Sequence, residues 1–197
     1  MAPILASRGG VSARAFGFFG AAAAPLGDYQ AIMTATVDSG GASSITFSSI
    51  PSTYKHLQVR AIARSTAIYS QTLLKVNFNS DTGTNYAFHY LRGTGSAAQA
   101  TSSVSNNHIR LDNFPEASQT ASVYGAFVLD ILDYTNTNKN KVTRALTGFD
   151  SNGDGVVALQ SGLWMNTSAI STITIDGTYD AGVFAQYSSF ALYGIKG

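Results

Sequence analysis

In the stretch GFDSNGDGVVALQ, residues 148–160, four residues could gather oxygen ligands around a cation. Asp150, Asn152, Asp154 and Gly155 fall where a D-x-[DN]-x-[DN]-G calcium loop places its first ligands and its tight-turn glycine. A complete loop of that kind needs helices on both sides and a bidentate carboxylate at its twelfth position. Here the twelfth position is Ser161 and the flanks alternate as strands do. Losing that carboxylate removes two of about seven oxygen ligands and one negative charge. SNGDG is also turn chemistry, able to join KVTRALTGF to VVALQSGLWM with Gly153 or Gly155 at positive φ. The turn accounts for every residue present, so the expectation is a hairpin without a resident metal or cofactor.

Other residue types that do chemistry are dispersed. His56, His89 and His108 have no partner at i+2 or i+4 and no HExxH context. Asp130 and Asp133 in LDILDY are three apart, so a regular strand turns them to opposite faces, where they cannot act as a carboxylate pair. Asp130, inside an apolar run, is expected to be a buried polar anchor. No G-x-S-x-G occurs, and GTGSAAQ lacks the further glycine and the helix of a dinucleotide site. Asn166 in NTS matches an N-glycosylation acceptor, a tripeptide that recurs by chance in Ser/Thr-rich chains. Two aromatic residues, Trp164 and Tyr90, are candidates for stacking on sugar rings, with packing in the core as the competing use. None of this composes a catalytic site.

The elements that must position these residues read as strands. Of the 197 residues 45% are hydrophobic, enough for a sizeable core, but only 12% are charged, about half the ordinary share. The acids are ten Asp and a single Glu, Glu116. Helices spend Glu, Lys and Arg on their outer faces, whereas ten Tyr, eleven Phe and many Val, Ile and Thr suit strands. YQAIMTATV places Tyr29, Ala31, Met33, Ala35 and Val37 on one face, and KHLQVRAIARS sets Leu57, Val59, Ala61 and Ala63 against Gln58, Arg60, Ile62 and Arg64. VYGAFVLDILDY, the most apolar run, reads as a central strand covered on both faces. The middle of the chain offers strands near Tyr86–Leu91 and His108–Leu111 with a small-residue loop between them. Nine or ten strands at 8–14-residue spacing predict an all-β, antiparallel, jelly-roll-like sandwich over residues 28–197.

Residues 1–27 differ in texture. Two arginines, an apolar stretch and Ala21–Ala24 loosely follow a signal peptide, but Gly17 and Gly20 break the stretch and Pro25 follows the cleavage point. The preferred reading is an extended anchoring arm, with Arg8, Arg14, Phe16, Phe18 and Phe19 as its contact residues. A formal net charge of +1 with scattered Lys and Arg gives no footprint for nucleic acid. No run of about 18 apolar residues is present to insert in a membrane, and the absence of cysteine excludes disulfides and thiolate metal sites.

The arm ILASRGGVSARAFGFFG, the block SITFSSIPSTYKHLQVRAIAR, the segment LDILDYTNTNKNKVTRALTGFDSNG with SGLWMNTSAI, and the terminal SSFALYGIKG together resemble tailed-bacteriophage virion structural proteins of tail-fibre or decoration type. The resemblance spans nearly the whole chain, and its phrases belong to a β scaffold. It implies a non-enzymatic virion component, made in the host cytoplasm and assembled as a symmetric oligomer, commonly a trimer. Its implied partners are tail, baseplate or capsid proteins and a host-surface glycan. Tail fibre or baseplate appendage is the first expectation and capsid decoration the second. A secreted carbohydrate-binding sandwich is the third, and it requires cleavage of the N-terminus.

Overall fold

The computed structural model describes residues 28–68, 72–178 and 181–197. The expected arm, with Arg8, Arg14, Phe16, Phe18 and Phe19, lies outside them. Twelve strands are described: β1 (Tyr29–Thr36), β2 (Ser44–Phe47), β3 (His56–Ala63), β4 (Thr72–Phe78), β5 (Tyr86–Gly93), β6 (Ala98–Asn106), β7 (Ile109–Phe114), β8 (Gly125–Leu132), β9 (Lys141–Asp150), β10 (Gly155–Trp164), β11 (Ile173–Asp176) and β12 (Ser189–Ile195). They form two antiparallel sheets, one of eight strands ordered β1-β12-β3-β8-β9-β10-β5-β6 and one of four ordered β2-β11-β4-β7.

The chain passes from one sheet to the other at every connection except β5–β6, β8–β9 and β9–β10. Setting aside the β5–β6 and β9–β10 hairpins leaves β1-β12-β3-β8 facing β2-β11-β4-β7. That is the strand order of a jelly roll, as the spacing of strands and turns predicts. The two hairpins widen the larger sheet beyond the four-stranded one, whose margin on that side is β7.

The core lies where the two sheets overlap. Leu57, Val59, Phe127, Leu129, Ile131 and Leu192 of the large sheet meet Phe47, Val76, Phe78, Leu111, Ile173 and Ile175 of the small one. Edge-to-face aromatic contacts continue it: Phe114 on Phe127 at 5.5 Å between centroids, and Phe184 on Phe190 at 4.8 Å. Beyond β7 the interior becomes polar. Gln160 accepts from the Asp112 backbone N–H (2.9 Å) and donates to Thr147, whose hydroxyl donates to the Asp112 carbonyl, tying β7 to β9 and β10.

Three strand expectations need correction. In β1, a bulge between Ala31 and Met33 splits the expected face. Tyr29 and Ala31 pair with outward-facing residues of β12, whereas Met33 and Ala35 turn toward the core. The expected small-residue loop holds β6, because AQATSSVSN, although poor in β-formers, finds a ladder on β5. The third is β8. Its residues alternate strictly, with Phe127, Leu129 and Ile131 buried while Ala126 and Leu132 are exposed. Among the described residues, the run expected to be covered on both faces is covered on one.

Candidate functional site

The calcium-like residues form the β9–β10 hairpin turn. Asp150 pairs with Gly155 across the ladder, and the Ser151 N–H donates to the Asp154 carbonyl (2.6 Å). Asn152 and Gly153 adopt φ of 59° and 104°, the left-handed conformations such a turn requires. The Asp150 carboxylate accepts from the Asn152 N–H (2.8 Å) and shapes the turn itself, while Asp154 accepts from Gln119 (3.3 Å) and ties the turn to the β7–β8 connection. Among the described residues no three His, Asp or Glu side chains gather around a metal-sized space.

The histidines stay apart. His56 accepts from the Asp133 N–H (3.0 Å), His89 sits exposed on β5, and His108 is half-buried beside Asn107. Burial, with Lys75 and Arg110 adding to it, holds His108 below its ordinary pKa. Asp130 is an anchor, but on the outer face of the large sheet and not within the core. It accepts from Gln58 (2.6 Å) and Arg144 (2.8 Å). Asp133 lies past the end of β8, where Lys139 and Lys55 hold its carboxyl down to about 2. Asn166 caps its own turn by accepting from the Ser168 N–H.

The two candidates for sugar contact separate. Trp164 is 1% exposed, packed against Phe78 and Tyr86, with its indole N–H donating to Asp81 (2.8 Å). No sugar reaches it, so its use is packing. Tyr90, four residues along β5 from Tyr86, stands beyond the margin of β7 and is half-buried. The guanidinium groups of Arg92 and Arg110 lie 5.9 and 5.6 Å from its ring. Arg92 donates to Gln99 (2.7 Å) and Arg110 to Asp112 (2.6 Å). Burial raises the Asp112 carboxyl against the pull of Arg110. On this polar shelf Tyr90, Arg92, Gln99 and Arg110 can donate to hydroxyl or carboxylate groups, while the buried Asp112 accepts from Arg110 and holds it in place. Sequence reasoning named only Tyr90, since the other four come together through the pairing of β6 on β5 and the approach of β7.

A second feature was missed altogether. On the outer face of the large sheet, Val128 pairs with Leu146, Leu146 with Leu159, and Leu159 with Leu91. One row nearer the β9–β10 turn run Ile62, Ala126, Gly148, Val157 and Gly93. Ile62, Leu91, Leu146, Val157 and Leu159 are each more than half exposed. A polar row of Gln58, Asp130, Arg144, Ser161 and His89 bounds this belt on the opposite side. The signal in the sequence was aliphatic residues at both phases of VVALQ and FVLDIL, which the expectation of two covered faces absorbed. The chain matches no family model, no curated protein and no solved structure.

Proposed function

We propose that this chain is a non-enzymatic structural protein of a tailed-phage virion, attached to the tail or baseplate through residues 1–27. The observation that carries the reading is the jelly-roll frame of β1-β12-β3-β8 on β2-β11-β4-β7, beside the resemblance to virion proteins. A fold alone does not assign a function, but here the details favour a scaffold. Buried polar groups bind strands and loops together: Gln160 and Thr147 join β7 to β10, and the Lys141 ammonium donates to three backbone carbonyls. The described chain begins at the sheet margin, where the Asp28 carbonyl accepts from Lys196 at the start of β1. An arm leaving there can reach a neighbouring virion component without disturbing the core. The shelf around Tyr90 is the surface offered to a host glycan, with guanidinium and amide donors that suit weak contacts repeated over many copies.

The test is immunogold microscopy of purified particles with an antibody against the full chain. Gold confined to the tail end is expected. Gold spread over the head moves the protein to capsid decoration, and particles that carry none remove it from the virion.

A further inference from the structure

We infer that the outer face of β8, β9, β10 and β5 is a self-association surface, on which a second copy of this chain seats the same face across a two-fold axis. The inference rests on the geometry of that face and stands whether or not the protein is a virion component. It adds a two-fold contact to the three-fold one that the resemblance implies.

Area is the first argument. The five aliphatic residues more than half exposed, Ile62 of the adjoining β3 included, together with Ala126 and Val128 present on the order of 500 Å² of contiguous apolar surface, near the upper limit for a monomer. Adding the polar row at its border brings one face to about 800 Å², the share each partner contributes to a stable interface. The face is a regular pleated surface on four consecutive strands, and two such faces stack about 10 Å apart with interdigitating side chains.

Charge and complementarity select the occupant. The charged pair in the bordering row, Asp130 and Arg144, is already closed at 2.8 Å, and Arg60, which continues the Val128 row on β3, is engaged by Gln58 and the Tyr29 and Tyr193 rings, so the face offers little free charge to select an acidic or basic partner. A heterologous contact would require a different apolar patch elsewhere on the chain to receive the belt. Among the described residues the remaining exposed large hydrophobic side chains are scattered, as Ile68, Val104, Met165 and Tyr187 are, or form the small Leu132–Val142 pair beyond the polar row. The one described surface that matches the belt in size and polarity is the belt itself, and a self-matching patch closes as an isologous dimer. This also explains the β8 correction: the run FVLDIL reads as covered on both faces because a second copy covers the outer one.

The test uses the full chain, which has no cysteine of its own. Sedimentation should find wild type as a dimer or a higher even-numbered assembly, and Leu159→Lys should halve that size while keeping the wild-type melting temperature. Single-cysteine variants give a readout independent of that substitution. In Leu159→Cys the thiol should react with maleimide at least ~10-fold more slowly than in Ile68→Cys, which lies off the belt. The same protection should persist when Phe16, Phe18 and Phe19 are all changed to Ser. A monomeric wild type, an odd-numbered assembly, or equal rates at the two thiols would overturn the inference. So would protection that disappears with the three phenylalanines, since the chain's own arm would then be the occupant.

Discussion

Replacing Lys141 by Met tests how the loops at one end of the sandwich are held. Lys141 opens β9, pairs with Trp164 across the ladder and is 1% exposed. Its ammonium donates to the carbonyls of Asn136 (2.7 Å), Lys139 (2.9 Å) and Thr167 (2.8 Å). One buried cation thereby closes the β8–β9 connection and the segment after β10 upon each other. Burial pushes the Lys141 pKa below its ordinary 10.5, while three acceptors in hydrogen-bonding range keep its protons in place. Methionine preserves the length and bulk of the side chain but leaves three carbonyls without a donor. Each such group costs about 1–3 kcal/mol when it stays dry. Opposing that, the variant recovers several kcal/mol of ammonium desolvation, and loop carbonyls can turn toward water. Three orphaned carbonyls set against that recovery leave a loss of about 3 kcal/mol. Urea unfolding followed by the fluorescence of Trp164, the chain's single tryptophan, measures it directly. Hydrogen exchange should quicken at Asn136–Lys139 and Thr167 before the rest of the fold. A methionine variant as stable as wild type, with unchanged exchange in those loops, would show that desolvation cancels the three bonds and that Lys141 is no anchor.

Other perturbations read different parts of the frame. Because the folded pKa of His108 is depressed, its stabilising contribution is fully present above 6.5 and is lost as pH falls from there through the folded value. His108→Gln should therefore show a smaller drop in urea midpoint between pH 7.5 and pH 5 than wild type. A Cβ at Gly162 would meet the Thr143 hydroxyl at 2.5 Å and Ile109 at 2.7 Å, so Gly162→Ala should lower stability by about 2 kcal/mol in the same urea assay. Deleting residues 1–24 should leave the melting temperature of the sandwich unchanged while the protein no longer enters particles. Loss of folding on that deletion would show that the arm belongs to the core.

The parts of this fold that could be read from the chain were those decided by local pattern. Leu57, Val59 and Ala61 alternate with Gln58, Arg60 and Ile62, and the period of two fixes which face of β3 is buried. SNGDG specifies its own turn, because Asn and Gly tolerate positive φ where other residues do not. What could not be read was whatever a neighbour decides. β6 exists because β5 offers it a ladder, although AQATSSVSN has little preference for extension. The shelf at Tyr90 draws on β5, β6 and β7, and no spacing along the chain brings Arg92, Gln99, Arg110 and Asp112 together. The reading of β8 failed in a more instructive way. An aliphatic residue at every phase of a strand says that both faces avoid water, and it is silent about which molecule covers the second face. Among the described residues only the first is covered, by Leu111, Phe114 and the rest of the small sheet's core residues. The second carries Val128, Leu146, Leu159 and Leu91 in register across four strands, an order that a solvated surface has no need to keep. On the inference that a second copy covers this face, the hydrophobic pattern of the sequence records the assembled state, and the described residues satisfy half of it.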